Sequence, residues 1–271
     1  MVKLTGGSLM NVSLYGTRPE GSGDNWRVGT GGVGKGGTAT PVTCIGVTEV
    51  ANGALIDNVH ACEARYDPLY VRDAKGLRVL NSTFDRAGRN GVSIVGNTED
   101  FMFLNCRFGS LWGLYHVDIE QNGDNYVRNG LFAHCTFDSS RAGEMDTGAW
   151  GSFLCFHGDA TLTSRNVAVV GCEFRDIYVR ILGVFPEARF FGNTFSNTGA
   201  AFVRVKTNAV GEFRDAEIRG NTFLRHGQPN DAIVQGVAFT GNSRFVDNDP
   251  PSANAIEIAP RTDVRHGVAQ H

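Results

Sequence analysis

The sequence offers no run of about 18 apolar residues, and no charged-then-apolar leader follows Met1, so neither a membrane span nor a signal peptide is expected. It also lacks an excess of positive charge, since 25 Lys and Arg against 28 Asp and Glu leave a formal net charge of -3. Without a basic field, wholesale binding to nucleic acid or to an anionic membrane is not expected. Its six cysteines include no Cys-x-x-Cys pair and no His-Cys cluster at zinc spacing. No repeated spacing of oxygen ligands stands out either, so no metal or cofactor is called for, calcium alone being left open. No segment carries a helical stripe, which sets aside doubly wound α/β folds and most leucine-rich repeats.

What the chain does have is one pattern repeated at least six times: an apolar residue, two places, a small residue, one place, then Phe. It reads Val79-Ser82-Phe84, Phe103-Cys106-Phe108, Phe132-Cys135-Phe137, Val169-Cys172-Phe174, Phe190-Asn193-Phe195 and Ile218-Asn221-Phe223. Echoes fall at Leu55-Asn58 and at Phe239-Asn242, and the successive small residues lie 21 to 37 positions apart. A unit of that size cannot bury its own apolar face, so neighbouring units must stack into a continuous core. Ser, Cys and Asn exchange at the small position, which marks a buried stacking column. Its cysteines are therefore expected to be free core thiols, as in a protein made in a reducing cytoplasm.

After each Phe comes a polar turn such as Asp85-Arg-Ala-Gly-Arg-Asn90, then a second strand with alternating pattern. These second strands pair Val92/Ile94, Val117/Ile119, Leu154/Phe156, Val179/Ile181 and Val203/Val205 as inward positions. Strands that follow one another in the same sense without helices predict an all-β, single-stranded parallel β-helix of about eight coils. A β-propeller would need four antiparallel strands in each blade.

The Gly-Asn-Thr-Phe units, the small-residue column and the Val-Asp-Ile-Glu strand resemble the pectate-lyase-like right-handed parallel β-helix superfamily, including tailspike-type proteins of bacteriophages. That resemblance covers about residues 51 to 260. It implies a right-handed solenoid whose groove handles polysaccharide. It further implies a homotrimer carried on a virion or in the extracellular space, and other tail proteins as partners. Residues 1–50 are expected to form opening coils with a Gly-rich insertion over 21–40, residues 51–260 the β-helix, and residues 261–271 an irregular C-terminal tail.

The outward positions of the second strands are where chemistry can sit. Asp118 and Glu120 share one strand, His157 lies on the next, and Arg180, Arg204 and Lys206 follow one or two coils on. At a coil spacing of roughly 4.8 Å this sets an acidic centre beside a basic flank about 10–15 Å away, the scale of a few sugar rings. Asp118 and Glu120 are the candidate acid and base, with His157 as a further catalytic group. His116, Tyr115, Trp150, Arg180, Arg204 and Lys206 are candidates for substrate binding. Carboxylates two residues apart couple their titration, so one can keep its proton while the other stays charged. Their side chains reach the separations of both retaining and inverting hydrolysis, and a lyase would use the basic flank to neutralise a uronate. The predicted function is binding and cleavage of a bacterial surface polysaccharide, by hydrolase or lyase chemistry. Its alternatives are a non-enzymatic structural or lectin-like virion protein and a polysaccharide epimerase. A solvated strand face would look the same in sequence. The run from Gly29 to Gly36 starts like a phosphate-binding loop but has Gly36 where a hydroxyl residue is needed.

Overall fold

A computed structural model describes residues 1–16, 43–64, 66–109, 115–121, 123–138, 153–158, 163–175, 177–197, 203–205, 211–225, 234–235 and 237–249. The Gly-rich segment over 21–40 and the tail beyond 249 lie outside the described residues. Every strand pairing among the described residues is parallel, and most join segments about one repeat apart in sequence, which makes the chain a parallel β-helix. Strands before residue 51 belong to the same stack: Val2–Leu4 pairs with Ile45–Val50, and Gly7–Tyr15 with Ala54–Cys62.

One long face is a column of single strands from Val2–Leu4 through Val92–Val95, Tyr115–Glu120, Phe153–His157 and Tyr178–Pro186 to Val234–Gln235. A second wall holds the Phe repeat, bent into two arms. Its first arm carries strands such as Leu77–Leu80, Met102–Leu104 and Arg189–Phe191, and its second arm Thr83–Asp85, Thr136–Asp138 and Thr194–Asn197.

The bend between the arms explains the two-residue gap in the repeat. The residue before each small position is in the left-handed region: Asn81 at φ 48°, Asn105 at 54°, His134 at 52°, Gly171 at 59°, Gly192 at 60° and Gly220 at 62°. Glycine and asparagine tolerate that conformation better than other residues. The turn takes the next residue's N–H out of strand pairing, and the side chain one coil on accepts it. Cys172 N donates to Asn193 Oδ1 at 2.8 Å, Asn193 N to Asn221 Oδ1 at 2.9 Å, and Asn221 N to Asn248 Oδ1 at 2.9 Å. Cys106, Cys135 and Cys172 occupy the same ladder as free thiols.

Both echoes of the repeat are corrected here. Asn58 is a bend residue with φ 52°, and the ladder position is Val59, whose N–H donates to Ser82 Oγ at 3.1 Å. Asn242 lies at a different corner, where its N–H donates to Asp215 Oδ1 at 2.8 Å. Phe239 pairs with Phe213 on a third wall, whereas Phe245 pairs with Ile218, so the ladder passes to Asn248. Letters alone cannot separate two corners that both want Asn.

Behind the ladder the second-arm phenylalanines stack face to face. Ring centroids lie 4.8 Å apart for Phe108 and Phe137, 4.7 Å for Phe137 and Phe174, and 4.4 Å for Phe174 and Phe195. Stacked rings of this kind add to area burial.

Candidate functional site

The predicted inward pairs of the single-strand face stand in register: Val92 with Val117, Ile94 with Ile119, Ile119 with Phe156, and Phe156 with Ile181. Alternation therefore sends Ser93, Asp118 and Arg180 outward as one column, and Val95, Glu120 and Leu182 as another, with Cys155, His157 and Arg204 at the matching backbone register positions. His157 and Arg204 are placed by backbone register alone, His157 as the direct partner of Glu120. Trp150 and Lys206 lie outside the described residues.

Asp118 points outward yet is only 5% exposed, because a polar network covers it. Asn90 Nδ2 donates to Asp118 Oδ2 at 3.1 Å and to Ser93 Oγ at 3.0 Å. Ser93 Oγ in turn donates to Asp67 Oδ2 at 2.9 Å. Asp67 is gripped by Arg89, whose Nη2 and Nε both reach its carboxylate, the latter at 3.0 Å, and Asn90 N donates to the same carboxylate at 2.9 Å. Burial holds the Asp118 carboxyl well above the usual carboxylate range, and the neighbouring Glu120 and Asp67 charges push the same way. Arg89 and the Asn90 hydrogen bond oppose the shift without cancelling it. Asp118 thus keeps its proton to higher pH than an ordinary aspartate, while half-buried Glu120 sits two residues on.

Asp67, Arg89 and Asn90 were not singled out in the sequence, Arg89 and Asn90 standing only within the turn from Asp85 to Asn90. One signal points to them: Leu69 pairs with Val92, so extending the register two places back sets Asp67 against Asn90. Both lie at the corner that opens the single-strand face.

Two of the predicted substrate-binding residues meet each other. Arg180 Nη1 donates to Tyr115 Oη at 3.1 Å, its guanidinium carbon lies 5.5 Å from the Tyr115 ring centroid, and Arg180 is 4% exposed. The pair spans the intervening strand Phe153–His157.

His116 departs from the predicted column. Register shifts between Tyr115 and Val117, a bulge that takes up His116 and breaks the alternation. The imidazole has no exposure and its Nε2 lies 3.1 Å from the Asp138 carbonyl oxygen, so in this conformation it meets the protein and no solvent. Burial pushes its pKa down to about 4. Between pH 6.5 and about 4 the unfolded chain takes up a proton at this position that the native chain refuses, so stability falls as the pH falls through that window. The full cost is roughly 3 kcal/mol. His116→Gln should flatten the acid limb of a melting-temperature profile recorded from pH 7 to pH 4; parallel profiles for variant and wild type would remove His116 from acid sensitivity.

A stack of parallel strands in which every pairing among the described residues is parallel defines this protein as a parallel β-helix, with Asp118 covered by a polar network on one strand face. The chain belongs to the right-handed β-helix family, whose model, described as "Right handed beta helix region", matches residues 67–249. Among solved structures, it is similar to the tailspike protein gp49 of Acinetobacter baumannii bacteriophage Fri1, a capsular polysaccharide depolymerase. The TM-score is 0.62 at 18% identity, covering 89% of this chain and 40% of that one. It is also similar to ORF18 of Geobacillus virus E2, with TM-score 0.56 and 16% identity over 76% of this chain and 40% of that chain. The chain thus spans two-fifths of the length of each. At these identities the likeness concerns the fold. No curated protein matches the sequence.

Proposed function

We propose that this chain is the polysaccharide-binding and polysaccharide-cleaving β-helix of a tailspike-like protein, acting on a bacterial surface glycan. The observation that carries the reading is Asp118, a carboxyl that the Asn90 network covers and whose proton burial holds to higher pH than usual, set one alternation from Glu120 on the outward side of the strand face. A proton-holding acid beside a second carboxylate is what glycosidic bond cleavage needs at its leaving oxygen and its attacking group. In this reading Asp118 gives the proton, Glu120 serves as the base, and His157, the strand partner of Glu120, assists. Arg204, the register neighbour of Arg180, and Lys206 orient an acidic chain, with Trp150 as a sugar-stacking group, while the buried Arg180–Tyr115 pair braces the strands beneath them. The same reading places the protein on a virion as a homotrimer that docks with other tail proteins; sedimentation of the purified chain tests the trimer.

The experiment is turnover of a panel of capsular and surface polysaccharides. New reducing ends without ultraviolet absorbance indicate hydrolysis, absorbing unsaturated ends indicate elimination, and changed sugar composition at constant chain length indicates epimerisation. A second reading, a non-enzymatic rod with lectin-like binding, is favoured by the same network: Asp118 is held by Asn90 in a cluster that a structural role would also explain. No turnover of any glycan by a well-folded chain would decide for the rod.

A further inference from the structure

Strands Ala54–Cys62 and Thr83–Asp85 bring together three metal-ligating side chains that the acid network does not use. His60 and Cys62 are two residues apart on one strand and so leave it on the same side, while Ala61 between them is buried in the core. Asp85 is the register partner of Cys62 on the neighbouring strand. His60 Nε2 lies 3.4 Å from Asp85 Oδ1, and the ligating atoms of His60, Cys62 and Asp85 all lie within 4.8 Å of one another.

We propose that His60, Cys62 and Asp85 form a site for a divalent transition metal of the zinc type, with a fourth position open to solvent. One imidazole nitrogen, one thiolate and one carboxylate oxygen make a borderline-soft donor set, which suits zinc or cobalt; calcium and magnesium would want oxygen throughout. Metal–ligand bonds of ~2.0–2.3 Å in a tetrahedron put ligand atoms about 3.3–3.8 Å apart, so the cluster needs about an ångström of side-chain rotation to close. Backbone register supplies the rest.

The surroundings fit that use. The ring of Tyr15 meets His60 edge-on at 6.1 Å. Arg86 Nη2 lies 3.4 Å from Cys62 Sγ, its Nε 3.6 Å from Asp85 Oδ1, and its Nη1 pairs with Glu63 at 2.9 Å. A metal-bound thiolate still accepts an N–H, so Arg86 stays as an outer-sphere donor that orients the sulfur. A metal would displace Arg86 Nε from Asp85 Oδ1 and leave the guanidinium to Glu63, so that the two anionic ligands balance the dication. The side chains of His60 and Asp85 are 35% and 18% exposed, giving a metal a route in from solvent to the buried Cys62.

The site stands at the corner leading to the acid network. The turn after Cys62 carries Asp67 and the turn after Asp85 carries Arg89, and the two turns are joined by Gly88 N to Ala64 O at 2.9 Å and Arg89 N to Tyr66 O at 3.1 Å. A metal there ties together the two turns that position Asp67 and Arg89. That bracing does not depend on whether the protein cleaves a glycan.

Cobalt titration of the metal-stripped full chain is the test. The expected result is a thiolate-to-cobalt charge-transfer band with tetrahedral d–d bands, saturating at one equivalent, displaced by zinc and accompanied by a higher melting temperature. His60→Gln and Asp85→Asn, both at the accessible edge, should weaken binding by more than the roughly 10–100-fold that loss of an outer-sphere partner costs. Cys62→Ser should abolish the charge-transfer band. Absence of the band in wild type overturns the proposal, as does an unchanged band and affinity in both His60→Gln and Asp85→Asn, which would place cobalt on another thiol. Should Cys62→Ser not fold, those two variants still decide.

Discussion

Replacing Asp118 with Asn is expected, on the proposed function, to lower glycan cleavage by about 10²–10⁴-fold, the usual worth of a positioned general acid, while leaving the fold intact or more stable near neutral pH. The two effects have one cause. Burial among Asn90, Glu120 and Asp67 makes the charged form of Asp118 costly, so the native chain holds a proton that the unfolded chain releases above pH 3.8. Native protein therefore binds more protons in the window above 3.8, and wild-type stability declines as pH rises until the raised native pKa is passed. An asparagine cannot ionise and keeps an acceptor for Asn90 Nδ2, so its melting temperature relative to wild type should climb with pH across that window. Paired measurements of turnover and of melting from pH 3 to pH 8 check both limbs. A purely structural Asp118 would show the stability trend with cleavage unchanged.

Phe137→Ala should be among the most damaging single changes in the core, at about 3–5 kcal/mol. Its ring is fully buried between Phe108 at 4.8 Å and Phe174 at 4.7 Å, both nearly parallel to it, so truncation opens a gap with an aromatic face on each side. Stability in a solenoid is close to a sum of neighbour terms, so the damage should be local as well as large. Hydrogen exchange should lose protection along Arg107–Phe108, Thr136–Asp138 and Glu173–Arg175 before the coils at either end. Phe223→Ala is the internal control: near the end of the same column, its ring stacks on Phe195 at 5.1 Å and keeps some exposure. Its cost should be markedly smaller, and equal losses in chemical denaturation would show that the column is not additive.

Much of the architecture was legible because two regularities survive in the letters. Alternation marked Val92/Ile94, Val117/Ile119 and Val179/Ile181 as inward pairs, and the register confirms them strand against strand. The recurrence of Cys106, Cys135 and Cys172 at one position announced a ladder, because a corner that bends every coil needs a small residue each time. Legibility failed where two physical demands share a residue type. Asn58 and Asn242 sit where left-handed backbone or corner hydrogen bonds favour Asn, and they mimic a ladder member. His116 was misplaced because a single bulge moves one residue out of alternation, and nothing in Tyr115-His-Val-Asp marks it.

The amino-acid order by itself settled the solenoid, its inward column, and which strand carries the two carboxylates, because those depend on periodicity and periodicity is local. Folding alone decided the company each of those groups keeps. Asp67, Arg89 and Asn90 close over Asp118, Arg180 reaches Tyr115 past an intervening strand, and His60 and Cys62 meet Asp85. Each meeting joins residues from different coils at corners or across coils, where chain separation says nothing about distance. Burial then sets the protonation of Asp118 and His116, and burial is a property of neighbours in space.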